Sequence, residues 1–297
     1  MQKTIRTKKP WLFIALCSMP AFLLMAYFIL WPAVQVLYLS FTNASVLTIK
    51  EGADFVGMKN FTTMFGDRRF IEAFQNTLRL LVVAPIVTIA ISLLLAFMVT
   101  QSKLKERGVY RTVFFFPSIV SMTIIGIVWS FIFHPRMGVL NKILVWIGLE
   151  KFDSFPWTAD PDTAIWTIAI AFIWQSAGYF MVMHIAAIDS ISSEVYEAAT
   201  IDGAGPVQKL FSITLPLIKN IVSITYIFAL SGILDSSFAL SMVMTPRERA
   251  DVLLTYIYTQ GYTNSQYGYS MAITAFTLVI AVGLSFFSRF VTNRKEG

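Results

Sequence analysis

The sequence is poor in charged residues and in the side chains that metal sites and disulfides need. Asp, Glu, Lys and Arg make up 13% of the 297 residues, whereas a soluble globular domain carries about 25%. One cysteine, Cys17, cannot form an internal disulfide, and we expect it to be a buried apolar filler. The two histidines, His134 and His184, lie far apart and predict no metal site.

Long hydrophobic blocks take the place of the missing charge. Hydrophobic residues make up 56% of the chain, and a helix needs about 20 mostly apolar residues to cross a bilayer. Leu, Ile, Phe and Met dominate the blocks, which favours helices over alternating barrel strands. We therefore predict an all-α polytopic membrane protein with six transmembrane helices, at about 11–37, 77–100, 112–133, 164–188, 217–242 and 269–291. Short helices are predicted in the connecting segments at 60–65 and 141–147.

The distribution of basic residues predicts the orientation of these spans. On the side of the N-terminus, Lys and Arg are concentrated in short segments, whereas on the other side they are spread out and offset by acids. The positive-inside rule then places both termini in the cytoplasm. The first apolar run is too long for a cleaved signal peptide. We expect 1–10 to be a cytoplasmic segment and 11–297 a single transmembrane domain, and we attribute the net charge of +6 to topology rather than to nucleic-acid binding.

The predicted cytoplasmic loop 189–216 has a helical pattern of its own. Apolar residues within 188–199 recur at helical spacing, and the helix should end between Asp202 and Gly205, because glycine adopts the left-handed conformation that ends helices. Pro206 suits the first position of a second helix. The residues alone leave two interpretations open: a pair of helices that cap the bundle, or a docking device for a cytoplasmic partner.

This loop resembles the EAA loop of ABC importer permeases, whose pattern is E-A-A, then glycine, then I-x-L-P. The matching residues are Glu197, Ala198, Ala199, Gly203, Ile213, Leu215 and Pro216, and Asp202 and Ala204 match the form common in sugar-importer permeases. Motifs elsewhere, such as Asn76-Thr77 and Tyr256-Ile257-Tyr258, resemble the first permease of maltose and glycerol-phosphate importers. The resemblance favours docking, and we call residues 189–216 the EAA loop.

The resemblance implies a type I ABC importer permease fold in a prokaryotic cytoplasmic (inner) membrane. Such a subunit forms half of the pathway for a sugar or oligosaccharide, as a heterodimer with a second homologous permease. Two ATPase subunits bind ATP and Mg and hold the EAA loops, and an extracytoplasmic solute-binding protein delivers the solute. The chain itself is then a non-catalytic subunit without a cofactor, and it contains no G-x-x-x-x-G-K-[ST] phosphate loop. The identity of the sugar is not implied.

Polar residues within the predicted spans are candidates for the substrate pathway. Asp235 is the only acid inside a predicted span, and an intramembrane charge is costly unless it has a function. Because sugars are bound by polar side chains and aromatic faces, we select two clusters: Trp174, Gln175, Ser176 and Tyr179 in the fourth span, and Ser231, Asp235 and Ser236 in the fifth. The alternative for both is packing between helices. We expect His184 to be interfacial rather than a ligand.

Two other classes of membrane protein fit the sequence less well. A secondary active transporter of a small polar solute should show more intramembrane charge or two similar halves, and neither is evident. A membrane enzyme should show clustered His, Asp or Glu near a membrane surface, and no such cluster is present in the sequence.

Overall fold

The computed structural model describes residues 11–48, 52–101, 106–246 and 250–293, and these segments are largely helical, as predicted. The predicted N-terminal segment 1–10 lies outside the described residues. In chain order the α-helices are α1 (Trp11–Met25), α2 (Trp31–Leu39), α3 (Lys59–Gly66), α4 (Arg68–Gln101), α5 (Arg107–Phe115), α6 (Met122–Ile132), α7 (Val139–Trp146), α8 (Ala164–Asp189), α9 (Ser193–Ile201), α10 (Pro206–Lys209), α11 (Leu215–Leu217), α12 (Lys219–Met244), α13 (Leu253–Tyr258) and α14 (Tyr267–Asn293). The short helices predicted at 60–65 and 141–147 correspond to α3 and α7.

Among the described residues, four helical segments are long and apolar enough to cross a membrane, and all four lie where the sequence predicts spans. They are Phe13–Ser40, Arg68–Thr100, Ala164–Asp189 and Lys219–Met244. α14 occupies the sixth predicted span, and its apolar part within the described residues is Tyr267–Gly283.

The second span begins earlier than predicted, at Arg68 rather than near Thr77. The side chain of Asp67 accepts a hydrogen bond from the backbone N–H of Arg69 (2.9 Å) and so caps the helix. Arg68 and Glu72 form an ion pair one turn apart, at 2.8 Å. These polar contacts extend the helix beyond the apolar block that hydropathy detects.

The predicted third span, 112–133, is divided into two helical arms. Arg107–Ile119 and Met122–Ile132 meet at 98°. Pro117 lacks a backbone N–H and disturbs the preceding turn, so that Phe116–Ile119 forms a 3₁₀ turn. Val120 and Ser121 are extended, with ψ of 138° and 145°. The proline and these two extended residues account for the break.

The described chain forms two compact units, of which the first comprises residues up to Gly66 together with Ile257–Val279. In this unit the side-chain amide of Asn60 donates to the carbonyls of Ser40 and Thr42, at 2.8 Å each, and holds α3 to the end of α2.

Side chains along the first span are exposed. Cys17 is exposed with them, so its predicted burial is wrong.

The second unit contains α4 to α13, apart from the last two residues of α13, and its core lies among α4, α6, α8 and α12. Small residues such as Ala84, Ala171 and Ala229 are fully buried there, and small side chains let membrane helices approach closely.

Two hydrogen bonds join α4 to the start of α13. The backbone N–H of Leu253 donates to the hydroxyl of Thr77 at 2.9 Å. The side-chain amide of Asn76 donates to the carbonyl of Asp251 at 3.1 Å. The Asn76-Thr77 motif therefore holds the start of α13 in place.

His184 is fully buried rather than interfacial, and it joins three helices of the second unit. Its Nδ1 lies 3.1 Å from the hydroxyl of Ser92 on α4, and its Nε2 lies 2.9 Å from that of Thr225 on α12. A neutral ring donates from one nitrogen only. One of the two hydroxyls must therefore donate to the ring instead of to a carbonyl of its own helix.

Replacing His184 with leucine is expected to destabilise the second unit by about 1–2 kcal/mol, because two interhelical hydrogen bonds of roughly 0.6 kcal/mol each are lost and the packing changes. Thermal unfolding of the purified permease in detergent measures this. Thr225→Val removes one of the two bonds and should lose about half as much. Equal melting temperatures for all three proteins would contradict the bridging role.

Candidate functional site

A cavity of about 270 Å³ lies among α8, α12 and the break between α5 and α6. Both predicted polar clusters contribute to it, through Gln175, Ser176 and Tyr179 on α8 and through Ser236 on α12. The remaining lining residues were not predicted from the sequence, and they are Ser118, Met122, Phe172, Phe180, Phe228 and Gly232. Hydroxyl, amide and aromatic groups on one apolar surface are the features of a site for a small polar ligand.

Gln175 has a structural function in this cavity as well. Its side-chain amide donates to the carbonyl of Ser118 (3.4 Å), and the hydroxyl of Ser118 donates to the carbonyl of Gln175 (2.9 Å). The side-chain oxygen of Gln175 accepts from the hydroxyl of Ser176 at 2.8 Å. The first of these bonds satisfies the carbonyl of Ser118, which the helix break leaves without its helical partner. Gln175 therefore contributes to the packing between helices, which is the alternative to a role in the substrate pathway.

Tyr179 is available to a ligand in a way that Gln175 is not. Its ring packs edge to face on Phe180, with the centroids 5.2 Å apart, and its side chain is about half exposed. No hydrogen bond engages its hydroxyl among the residues that the structure describes. Tyr179 therefore presents both an aromatic face and a free hydroxyl to the cavity.

Three of the predicted pathway residues do not line the cavity. Trp174 lies about 200° around α8 from Ser176, and it packs on Trp129 of α6 with the centroids 5.9 Å apart. Ser231 and Asp235 are exposed on α12, one turn apart, on a face adjoining the cavity residues Phe228 and Ser236. The structure gives Asp235 no hydrogen-bond or ion-pair partner among the described residues.

The first helix of the EAA loop ends as the sequence predicts. The side chain of Ser192 caps its start by accepting from the N–H of Glu194 (3.3 Å). At its end Gly203 has a φ of +80°. The N–H of Gly203 donates to the carbonyl of Thr200 (3.1 Å), and the N–H of Ala204 donates to that of Ala199 (2.9 Å). This is a Schellman motif with glycine in the left-handed position.

The second helical segment of the loop begins at Pro206, as predicted, and continues through a π-helical turn at Leu210–Thr214. Pro216 lies in α11, directly after this turn. The backbone N–H of Leu215 donates to the carbonyl of Leu210, five residues earlier. Pro216 therefore does not end the helix at once, because the wider turn accommodates it, and the break comes at Ile218.

The two segments of the loop hold each other through polar contacts that the sequence pattern does not indicate. The hydroxyls of Tyr196 and Thr214 lie 2.9 Å apart, and Lys209 Nζ donates to the Thr200 hydroxyl at 2.8 Å. Ala199 of the first segment is buried.

The outer surface of the EAA loop combines exposed apolar and acidic side chains. Ile201 is 87% exposed, and Val207 and Phe211 are also exposed. Glu197 and Ala198 are exposed, whereas Ile213 and Leu215 are partly buried. The loop therefore presents three apolar side chains and the Glu197 carboxylate on its surface.

Comparison with known proteins agrees with this architecture. Residues 88–296 match the family described as "Binding-protein-dependent transport system inner membrane component". The chain is 34% identical over 249 residues to a probable ABC transporter permease, YurN, of Bacillus subtilis, covering 82% of this chain and 84% of that protein. It is also 34% identical over 260 residues to the diacetylchitobiose uptake system permease NgcF of Streptomyces coelicolor, covering 82% and 72% of the two chains.

The fold has a counterpart among solved structures. A chain in the crystal structure of a bacterial ABC transporter involved in the import of the acidic polysaccharide alginate superposes with a TM-score of 0.81 at 28% identity, covering 96% of each chain. The present chain therefore belongs to the family of binding-protein-dependent transport system inner membrane components. It is a membrane-spanning permease with the fold of ABC importers.

Proposed function

We propose that this permease forms half of the translocation pathway for a sugar or oligosaccharide delivered by an external binding protein. The observation that carries the proposal is the cavity, where Tyr179, Ser176 and Ser236 place an aromatic face and hydroxyls in the middle of the spans. The permease relatives named for sugar compounds, such as the diacetylchitobiose permease, support a carbohydrate as the solute.

A second homologous permease is the partner that completes this cavity. The cavity is open rather than enclosed, and Asp235 and Ser231 lie exposed on the adjoining face of α12. A carboxylate facing lipid hydrocarbon would cost about 2.5–3.5 kcal/mol. A partner surface or a water-filled pathway removes that cost, and the candidate pathway residues Ser231 and Asp235 then face the shared channel. Trp174 lies away from the cavity and is the weakest of the candidates.

The EAA loop is proposed to dock on an ATPase subunit through its exposed face, with Glu197 available to pair with a basic residue. Two such subunits bind ATP and Mg and perform the hydrolysis, so this chain needs no catalytic residue or cofactor of its own. The loop and both termini then lie in the cytoplasm, and 11–297 acts as one transmembrane domain.

Co-purification tests this function directly. The tagged permease, extracted with mild detergent from its native host, is expected to bring down an ATPase subunit and a second permease. After reconstitution in liposomes, loaded binding protein should stimulate ATP hydrolysis and uptake. Uptake driven by an ion gradient without ATP would instead favour a secondary active transporter and overturn the proposal.

Replacing Tyr179 with alanine is expected to reduce uptake about tenfold, which corresponds to about 1.4 kcal/mol of lost ligand interaction. Tyr179→Phe keeps the ring and should retain most of the uptake if the aromatic face is the main contact. Initial uptake rates at several solute concentrations measure both variants. Wild-type rates in the alanine variant would remove Tyr179 from the pathway.

Replacing Gly203 with valine is expected to uncouple ATP hydrolysis from uptake. Among the described residues other than its chain neighbours, no atom lies within 4 Å of a Cβ at this position, so the added Cβ meets no clash, but its φ of +80° strains an L-residue by about 1–2 kcal/mol. The neighbouring Gly205 has equally open space and a φ of −71°. Gly205→Val is therefore the matched control, and equal solute-to-ATP ratios in the two variants would contradict the prediction.

A further inference from the structure

The two arms of the broken third span pack on different helices of the second unit. α5 and the 3₁₀ turn after it pack mainly on α8, whereas α6 packs mainly on α12. At Gly126 of α6 an added Cβ would lie 3.1 Å from the side chain of Val243 on α12. The EAA loop connects α8 to α12 in the chain. A movement of one of these helices relative to the other must therefore be absorbed where α5 and α6 meet.

Three contacts hold α5 and the 3₁₀ turn to α8. A Cβ on Gly178 would lie 1.8 Å from the carbonyl oxygen of Phe114, so the two backbones cross in direct contact. Ser118 and Gln175 exchange the two hydrogen bonds described above. At the end of α8, Arg111 Nη2 donates to Asp189 Oδ2 at 3.0 Å.

The ion pair lies where the EAA loop begins. Asp189 is the last residue of α8, and an acid at a helix C-terminus interacts unfavourably with the helix dipole unless a cation compensates. Arg111 supplies that cation. The two side chains are 39% and 45% exposed, so the pair contributes little to stability. The pair therefore joins α5 to the residue at which the EAA loop begins.

The junction between the two arms lies at the cavity. Ser118, just before the break, and Met122, just after it, both line the cavity. Between them, Val120 and Ser121 have extended backbones, Val120 as the C-cap of the 3₁₀ turn and Ser121 as the N-cap of α6. A change in the angle between the arms would therefore alter the width of the cavity.

We propose that the Arg111–Asp189 ion pair couples the EAA loop to the cavity, with Val120 and Ser121 as the hinge. The pair makes α5 follow the start of the loop, while α6 stays with α12. This inference rests on the proposed function, because it takes the EAA loop to be the part that the ATPase moves. Arg111 and Asp189 are positioning residues in this scheme and do not contact the solute.

Distance measurements between spin labels on α5 and α12 test the inference in the assembled transporter. The labels are placed at Val113 and Ile224, which are both exposed, in a Cys17→Ser background that removes the only native cysteine. The complex with its ATPase is studied in lipid nanodiscs, with and without Mg and a non-hydrolysable ATP analogue. The wild type is expected to change its distance distribution when the nucleotide binds.

Charge reversal then separates coupling from stability. Arg111→Glu should lose at least half of the nucleotide-dependent distance change and uncouple ATP hydrolysis from uptake, and the double variant Arg111→Glu, Asp189→Arg should restore both. Arg68→Glu, which breaks the exposed ion pair with Glu72, is the control and should behave as the wild type. If the charge-reversed complex does not assemble, Arg111→Gln gives the same test.

The outcomes distinguish the inference from the function on which it rests. A full distance change in Arg111→Glu, or no recovery in the double variant, overturns the ion pair as the coupling contact while the proposed function stands. A wild-type complex that couples ATP hydrolysis to uptake but shows no nucleotide-dependent change between α5 and α12 also overturns the inference and leaves the proposed function standing. A wild-type complex without ATP-driven uptake overturns the proposed function, and the inference with it.

Discussion

Substituting alanine for Gly178 is expected to cost about 3 kcal/mol or more of the stability of the second unit. The added Cβ would lie 1.8 Å from the Phe114 carbonyl oxygen and 2.5 Å from its carbon. Overpacking usually costs about 1–3 kcal/mol, and this contact is with backbone, which cannot rotate away as a side chain can. α5 would have to move away from α8, and this movement would break the two hydrogen bonds between Ser118 and Gln175.

Thermal unfolding of the purified permease measures this loss. About 3 kcal/mol corresponds to a drop of roughly 6–12 °C for a unit of this size. Gly232→Ala is the matched control, since a Cβ there lies 3.6 Å from the Phe172 ring, an ordinary contact, and its melting temperature should stay near that of the wild type. If both alanine variants have the same melting temperature, α5 and α8 do not approach each other as closely at Gly178 as described.

The features that sequence predicted well depend on local chemistry. Span positions follow from apolar composition, because the bilayer imposes one length on every spanning helix. The end of α9 follows from Gly203, and the start of α10 from Pro206, because few residues suit those backbone positions. For these features the neighbouring residues along the chain supply most of the information.

The features that sequence did not predict depend on contacts between distant segments. Hydropathy detects an apolar block at 112–133 but not a bend of 98°, although Pro117 is a signal that a break could lie there. The sequence predicts an interfacial His184, because nothing near it in the chain shows that its partners are Ser92 and Thr225 on other helices. Such pairings have no signature in the local sequence.

The candidate cavity shows the same limit on a smaller scale. From the sequence we select Trp174, Gln175, Ser176 and Tyr179 as one cluster, yet Trp174 and Ser176 face opposite sides of α8. Helical periodicity separates their faces, but only the positions of α6 and α12 decide which face borders the cavity. Ser118 is not predicted because it reaches the cavity only through the break between α5 and α6, where it is hydrogen-bonded to Gln175 on α8. That break is itself a tertiary feature.

Replacing Ile201 with glutamate is expected to abolish co-purification of the ATPase subunit while the permease stays folded. The side chain is 87% exposed in the isolated chain, so the substitution removes little packing within the permease. Burying an isoleucine side chain in an interface is worth about 1.5–3 kcal/mol, and a carboxylate buried there in its place adds a desolvation cost. Together these two effects predict that the permease binds the ATPase subunit about 10- to 100-fold more weakly.

The matched control makes the same exchange in another loop. Ile147 follows α7 and is also exposed, so Ile147→Glu should leave ATPase binding and melting temperature unchanged. Quantitative pull-down from detergent, with the melting temperature of each variant measured in parallel, separates loss of docking from loss of fold. Wild-type amounts of ATPase bound to the Ile201→Glu permease would show that the ATPase docks elsewhere, since a charge at the centre of an apolar contact cannot be accommodated without loss of affinity.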